Sequence, residues 1–231
     1  MAARGVSSAV AVVSTRCGEA DQALFGSPAD AIGSIKLSAL QKIEAARGVG
    51  LAKHERQVAA VCGILCEALG LHDDFVGPLK FAAQLHDLGK LGITDALLNK
   101  PAPLAEDEIA VMRTHPQIGY DVLSGSGDPL LDFAANIARS HHESFDGSGY
   151  PLGLKGEAIP LGARIVSLCD VYDALRVDRI YRAGLGHEGA LAVMTGDMGR
   201  GSRRAFDPVL LQAFANNAGA IRAAYEQAQP D

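Results

Sequence analysis

Histidines are the first candidates for chemistry in this chain of 231 residues, which contains seven of them. Two carboxylates share their setting, because Asp87 follows a histidine directly and Asp170 lies in an apolar stretch. An ionised carboxylate among apolar neighbours is costly unless it is paired, hydrogen-bonded or bound to a metal. A single histidine is most often a hydrogen-bonded core or surface residue, and we assign that role to His72 and His187. The remaining spaced set predicts a metal site and consists of His54, His86, Asp87, His115, His141, His142 and Asp170.

Coordination numbers favour two ions over one. If Asp87 bridges, each ion has four protein ligands, a shared water is the fifth, and one octahedral position per ion stays open for substrate oxygens. The two sets are completed by His54, His86 and Asp170 on one side and by His115, His141 and His142 on the other. Nitrogen and carboxylate ligands without thiolate suit iron or manganese better than a closed structural zinc site. A hydroxide held between two cations is a strong nucleophile at neutral pH, so the pattern predicts metal-assisted hydrolysis of a phosphoester.

The elements that must position these residues are predicted to be helices. Apolar residues three and four positions apart predict a helix over 51–71. Pro78 predicts the start of a second helix that runs to Leu88 and stops at Gly89. Because proline disfavours helix in the preceding residue, His115 is expected at a break between two helical pieces. Further helices are predicted over 104–112, 130–142 and 161–175, and from Asp207-Pro208 toward Tyr225.

The predicted fold class is all-α, because no stretch alternates apolar and polar residues in the manner of a strand. The one long connection covers residues 146–160, where glycine and proline dominate. A long loop inside a compact helical domain is usually functional.

Composition excludes several classes of protein. Apolar residues make up 48% and charged residues 21%, which is typical of a folded globular chain and not of a disordered one. The unbroken apolar runs are far shorter than the ~20 residues of a membrane-spanning helix. A net charge of −6 argues against binding a nucleic acid polymer, but not against a local basic cluster that holds a small anion.

Cysteine usage predicts a reducing compartment. The four cysteines are Cys17, Cys62, Cys66 and Cys169. They form no Cys-x-x-Cys pair, and we interpret them as small buried side chains. The predicted location is therefore the cytoplasm.

Two strings of residues give the chain a specific resemblance. Residues 86–90 read His-Asp-Leu-Gly-Lys, and residues 141–151 read His-His-Glu-Ser-Phe-Asp-Gly-Ser-Gly-Tyr-Pro. They match the HD-x-G-K and HHE-x-x-DGxGYP signatures, and further matches follow at Lys100-Pro101, Leu104, Glu108, His115-Pro116, Gly119 and 163–175. A lone His-Asp pair is a weak signal, whereas the eleven-residue string is specific. Over roughly residues 50–215 the chain resembles the HD-GYP family of the HD superfamily of metal-dependent phosphohydrolases.

The resemblance implies a helical HD-domain bundle with a Gly/Pro-rich GYP loop. It also implies hydrolysis of the bacterial messenger cyclic di-GMP to the linear dinucleotide pGpG and often onward to GMP. The seven residues of the spaced set are then the ligands of two divalent ions. Some members carry a glutamate, which enables a third metal, four residues before the first ligand. Gly50 occupies that position here, so we expect two ions.

Further site residues follow from the same resemblance. Asp87 and Lys90 would serve catalysis, with Lys90 at the scissile phosphate and on the face of His86 if the helix continued. Tyr150 of the GYP loop would contact substrate. Arg179 and Arg182 would contact it too, since planar guanidinium groups suit a ligand with two phosphates. Asp173 would support a ligand instead of binding metal.

Other functions and boundaries stay open at this point. One alternative is an HD phosphohydrolase that acts on another cyclic nucleotide. Another is a catalytically weak adaptor that binds a cyclic dinucleotide and signals through its protein contacts, because GYP loops of some family members contact GGDEF-type diguanylate cyclases. A homodimer through helical faces such as 208–225 is also open. The expected division is an N-terminal extension or cap over 1–35, of unknown role, and an HD-GYP catalytic domain over 36–231.

Overall fold

The computed structural model describes residues 51–178, 183–196 and 203–228. Over these residues the protein consists of ten α-helices and three short 3-10 helices with no strand, which confirms the all-α prediction. The α-helices are α1 (Leu51–Ala68), α2 (Asp73–Ala83), α3 (Asp95–Leu98), α4 (Glu106–Met112), α5 (His115–Leu123), α6 (Pro129–Ser140), α7 (Leu161–Arg176), α8 (His187–Thr195), α9 (Pro208–Asn216) and α10 (Ala218–Gln227). The 3-10 helices cover Leu88–Gly92, Gly156–Ala158 and Arg203–Ala205.

Helix α1 lies at the centre of the bundle. It packs against α2, α7 and α10, while α5 packs against α6 and the first 3-10 helix. The α1 residues Val58, Val61 and Leu65 are fully buried in one continuous apolar core. Each fully buried aliphatic side chain contributes roughly 1.5–3 kcal/mol, so this core fixes the helices that carry the polar residues.

The bounds of α2 differ from the prediction. The helix starts at Asp73, because His72 caps it by accepting the Asp74 N–H, and carboxylates suit the positive end of the helix dipole. Pro78 lies inside the helix, where it removes one main-chain hydrogen bond while its ring is buried in the core. The helix ends at Ala83, so a helix from Pro78 to Leu88 with a stop at Gly89 was wrong. His86 and Asp87 instead lie in the turn that leads into the first 3-10 helix.

The other predicted helices lie where they were expected, although α1 ends three residues before Leu71 and the last predicted helix is divided in two. His115 begins α5 directly after the break that follows α4, as expected. Asp207 does cap a helix by accepting the Val209 N–H at 2.9 Å, but that helix ends at Asn216 and a separate one begins at Ala218. Helices α3 and α8 were not predicted.

The cysteines and the remaining histidines are structural. Cys62, Cys66 and Cys169 are buried and form no disulfide, and Cys17 lies outside the described residues. His187 is buried and hydrogen-bonds the Tyr172 hydroxyl at 2.8 Å. Among the helices that the structure describes, none is both long enough and apolar enough to cross a membrane.

Candidate metal centre

Seven polar side chains from separate elements meet at one point of the bundle. They belong to segments that are far apart in the sequence, and they form two groups. Within each group the candidate ligand atoms, one nitrogen or oxygen per residue, lie within 4.8 Å of one another. One group is His54, His86 and Asp170, and the other is Asp87, His115, His141 and His142. The structure therefore brings together all seven residues that the sequence singled out.

Asp87 lies between the two groups, and each of its oxygens faces one of them. Oδ1 is 3.2 Å from His115 Nε2 and 3.7 Å from His141 Nε2. Oδ2 is 3.6 Å from His86 Nε2 and 3.8 Å from His54 Nε2. A carboxylate placed in this way can bridge two cations, one on each oxygen.

Asp170 closes the first group from the opposite side. It lies on α7, and its Oδ1 is 3.4 Å from His54 Nε2 and 3.8 Å from His86 Nε2. The two histidine Nε2 atoms are themselves 3.3 Å apart. Two nitrogens and two carboxylate oxygens thus surround one small volume.

Hydrogen bonds at Nδ1 of three of these histidines determine which ring nitrogen can bind a metal ion. The Nδ1 atoms of His86, His115 and His141 donate to the carbonyls of the residues three positions earlier, at 2.7–2.8 Å. A carbonyl only accepts, so Nδ1 carries the proton and Nε2 keeps its lone pair. Those lone pairs point at carboxylate oxygens and at one another, an arrangement that is repulsive unless a cation lies between them. Such support of ligand histidines is typical of metal sites.

His54 has a carboxylate partner instead of a carbonyl. Its Nδ1 lies 2.6 Å from Asp173 Oδ2 on α7. Asp173 therefore holds the orientation of His54 without joining either metal group, which is the supporting position expected for it.

Burial sets the protonation states of the centre. It lowers the pKa of His86 and of His141, and it lowers the pKa of His142 to about 4, so these rings are neutral near pH 7. Burial also acts to lower the pKa of His54, but the hydrogen bond with Asp173 and the nearby carboxylates outweigh it and raise that pKa to about 9.

Asp87 is ionised in this setting. Burial acts to raise its pKa, but the Lys90 ammonium and the His86 ring hold the pKa well below its usual value. Its Oδ1 is buried and accepts no hydrogen bond from any residue that the structure describes. A buried, unpaired carboxylate oxygen facing imidazole lone pairs fits a divalent cation.

Gly89 allows the backbones of the first 3-10 helix and of α5 to come into direct contact. A Cβ at residue 89 would lie 1.9 Å from the His115 carbonyl oxygen and 2.5 Å from the Gly119 nitrogen. No side chain fits there, so the backbone of the first 3-10 helix rests directly on α5. This contact brings Asp87 to His115.

Lys90 reaches the centre from the first 3-10 helix and not from a continued α-helix. Its Nζ contacts Asp87 Oδ2, and about a quarter of its side chain is exposed. The sequence-based reason for its position, a shared helical face with His86, was wrong, because α2 ends before His86. The ammonium nevertheless lies beside the bridging carboxylate.

Tyr150 covers one edge of the centre. Its ring stacks on His142, with centroids 4.8 Å apart and planes inclined by 27°. The Arg113 guanidinium lies 5.1 Å from the centroid of the same ring. Three side chains thus form one stack that ends on a residue of the metal group.

Glu143 anchors the GYP loop (residues 146–160) that carries this tyrosine. It is buried, and its two oxygens accept the N–H groups of Leu152 at 2.7 Å and Leu154 at 2.9 Å. Gly149 packs so closely on this turn that a Cβ would lie 2.2 Å from the Ser144 nitrogen. The loop is therefore tied directly to the chain that bears His141 and His142.

Two functional side chains were missed in the sequence. Glu143 belongs to the matched string, and its place directly after two histidines of the centre was the available signal. Arg113 contacts Tyr150 across 37 positions, and no local pattern indicates such a pairing. Arg179 and Arg182, the predicted substrate arginines, lie outside the described residues.

Comparisons with known proteins agree with this geometry. Residues 39–209 match the model of a protein family described as HD domain. The chain is 44% identical over 178 residues to "Cyclic di-GMP phosphodiesterase response regulator RpfG" of Xanthomonas campestris pv. campestris, covering 77% of this chain and 46% of that protein. It is 41% identical over 129 residues to "3'3'-cGAMP-specific phosphodiesterase 2" of Vibrio cholerae serotype O1, covering 56% of this chain and 25% of that protein.

A solved structure shares the fold. "Bd1817, a HDG"Y"P protein from Bdellovibrio bacteriovorus" superposes with a TM-score of 0.57 at 20% identity, over 80% of this chain and 60% of that one. The chain spans less than half the length of each of the two curated relatives.

Proposed function

The chain belongs to the HD domain family and, within it, to the HD-GYP group, and we therefore propose that it is a binuclear-metal phosphodiesterase that hydrolyses cyclic di-GMP. The proposed product is linear pGpG, with GMP after a second cleavage. The observation that carries this proposal is the position of Asp87, whose two oxygens face two separate sets of imidazole nitrogens. We assign the role of metal ligand to all seven residues of the centre.

Two divalent cations, when bound, would activate a water as the nucleophile and polarise the phosphate oxygens. Ligands made only of imidazole and carboxylate, without thiolate, favour iron or manganese. The neutral rings and the ionised Asp87 present their lone pairs without first releasing protons. His54, whose pKa is raised to about 9, must lose a proton, because the proton on its Nε2 occupies the ligand position.

The remaining polar groups suit an anionic, aromatic substrate. Lys90 places an ammonium beside Asp87 on the partly exposed side, where it can offset charge on a phosphate. Tyr150 is held between His142 and Arg113 beside the centre, and we propose that the edge of its ring and its hydroxyl contact the substrate. We propose the same substrate-binding role for Arg179 and Arg182 from the sequence alone.

The wider assignment is also a proposal. A catalytic domain over 36–231 after an extension over 1–35 is supported by a family match that begins at residue 39. Buried cysteines that form no disulfide, in the part of the chain that the structure describes, are compatible with the proposed cytoplasmic location. The exposed face of the GYP loop, where Leu152 lies half in solvent, is the proposed contact for GGDEF-type or other signalling proteins.

The test measures metal content and turnover on the same preparation. Protein loaded with Mn²⁺ or Fe²⁺ should linearise cyclic di-GMP, as followed by chromatography of the products. Asp87→Ala should abolish turnover and lower the metal content, because both ions lose a ligand. Asp107→Ala removes an exposed carboxylate on α4 and serves as the matched control, with turnover unchanged.

A second candidate substrate is 3'3'-cGAMP, since the chain is 41% identical over 129 residues to a phosphodiesterase named for it. Parallel assays with both cyclic dinucleotides separate the two by their kcat/KM values. Tight nucleotide binding with full metal content and no turnover of either would instead support the signalling adaptor.

A further inference from the structure

A second cavity lies between the GYP loop and the C-terminal helices. It has a volume of about 690 Å³ and shares no lining residue with the metal centre. Small-molecule sites usually measure roughly 300–1,000 Å³, so the space suffices for a ligand of that class. Its walls are the start of the loop together with Lys155 and Gly156, the last residue of α8, the third 3-10 helix and one face of α9.

The cavity combines an apolar floor with positive charge. Phe145, Phe206 and Leu211 supply aromatic and aliphatic surface, and all three are at least partly buried. Its cationic side chains are Lys155, Arg203 and Arg204.

One carboxylate faces this positive charge. Asp146 Oδ1 accepts hydrogen bonds from the Ser148 N–H and hydroxyl at 2.9 and 2.6 Å, so it is already engaged in its own turn. The lining therefore carries three positive charges against one negative charge, in a chain whose net charge is −6. The local sign is opposite to that of the whole chain, which favours an anionic ligand.

We propose that this cavity binds a phosphorylated small molecule with an aromatic body, of the nucleoside monophosphate class. Guanidinium groups bind phosphate through paired N–H donors, and aromatic side chains stack on bases irrespective of their sequence. The Arg203–Arg204 rim takes the phosphate, and the Phe145–Phe206 floor takes the ring.

The cavity is connected to the loop through the main chain. The Phe145 N–H donates to the Ala205 carbonyl at 2.9 Å, and the Gly156 N–H donates to the Phe145 carbonyl at 2.9 Å. Phe145 is three residues beyond His142. A ligand in the cavity therefore rests against the same segment that carries part of the metal centre.

A tryptophan reporter tests the proposal on the metal-loaded chain of 231 residues. The chain contains no tryptophan, so Gln212→Trp, at the cavity on α9, gives a single fluorophore beside the proposed ligand. GMP should quench it with a saturable curve, whereas guanosine should need at least tenfold higher concentrations and inorganic phosphate should compete only weakly. Val122→Trp, on an exposed position of α5 outside the cavity, is the control for non-specific quenching.

Charge variants in the Gln212→Trp background identify the phosphate contact. Arg204→Glu should raise the half-saturating GMP concentration at least tenfold, and Lys80→Glu, the same charge change on exposed α2 surface, should leave it unchanged. Ala215→Trp, made without the reporter, should fill the cavity. GMP should then no longer protect the cavity residues from hydrogen exchange. This variant tests the site even if Arg204→Glu fails to fold. Equal, unsaturable quenching of both reporters would overturn the proposal. Unchanged GMP affinity in Arg204→Glu, or guanosine binding as tightly as GMP, would overturn it equally.

Discussion

Replacement of Gly89 by alanine tests how the metal centre is assembled. The added Cβ would lie 1.9 Å from the His115 carbonyl oxygen, whereas real Cβ atoms essentially never approach other heavy atoms within 3.0 Å. The first 3-10 helix and α5 must therefore separate by about 1 Å, and a misplacement of ~1 Å in a catalytic constellation can cost about 100-fold in rate. This separation lengthens the gap between Asp87 and His115, which is 3.2 Å in the structure.

We expect Gly89→Ala to lower kcat/KM for cyclic di-GMP by about 100-fold, or ~2.7 kcal/mol of transition-state stabilisation. The number of metal ions per chain, measured by mass spectrometry, should fall, and we expect the ion beside His115 to be the one that is lost. Gly77→Ala is the matched control, because nothing lies within 4 Å of its added Cβ on α2. It should keep full turnover and gain roughly 0.5–1 kcal/mol of stability. Wild-type turnover and metal content in Gly89→Ala would refute the reasoning.

Three further substitutions separate positioning, metal support and stability. Glu143→Gln weakens the loop anchor, so KM should rise several-fold at constant metal content; an unchanged KM would show that the loop holds without it. Asp173→Asn should weaken metal binding by about 10–100-fold in chelator competition, because it disturbs the support of the α1 histidine, and an unaltered affinity would argue against that role. Arg164→Met leaves Asp207 buried and unpaired, which should cost about 3–5 kcal/mol in urea unfolding. Arg222→Met, at an exposed pair, should cost less than about 1 kcal/mol, and equal losses would contradict the distinction.

The residues of the centre could be predicted from the sequence, because histidine and aspartate recur in the matched strings. The sequence also placed His115 correctly, since Pro116 restricts the residue before it. Both signals come from short stretches of sequence, and both concern residues whose chemistry limits the structures that such a stretch can form.

Predictions from short stretches of sequence were wrong where tertiary packing determines the bounds of a helix. Pro78 indicated a helix start, but burial of its ring and the cap at His72 placed the start at Asp73. Helix α8 contains Gly189 and is only 9 residues long, so its pattern was too short to stand out. The break at Asn217, with φ −111° and ψ 21°, interrupts an otherwise continuous helical pattern.

The contacts that hold the GYP loop could not be predicted either. Glu143 reaches main-chain groups 9 and 11 residues away, and Arg113 reaches a ring on another element. Such pairings depend on the final path of the chain, which the sequence patterns do not specify.

Anomalous X-ray diffraction from crystals of the Mn²⁺-loaded protein measures how many ions the centre holds and where they lie. We predict two anomalous peaks per chain at the manganese edge, one beside each oxygen of Asp87. A single peak, or peaks that do not flank this carboxylate, would contradict it.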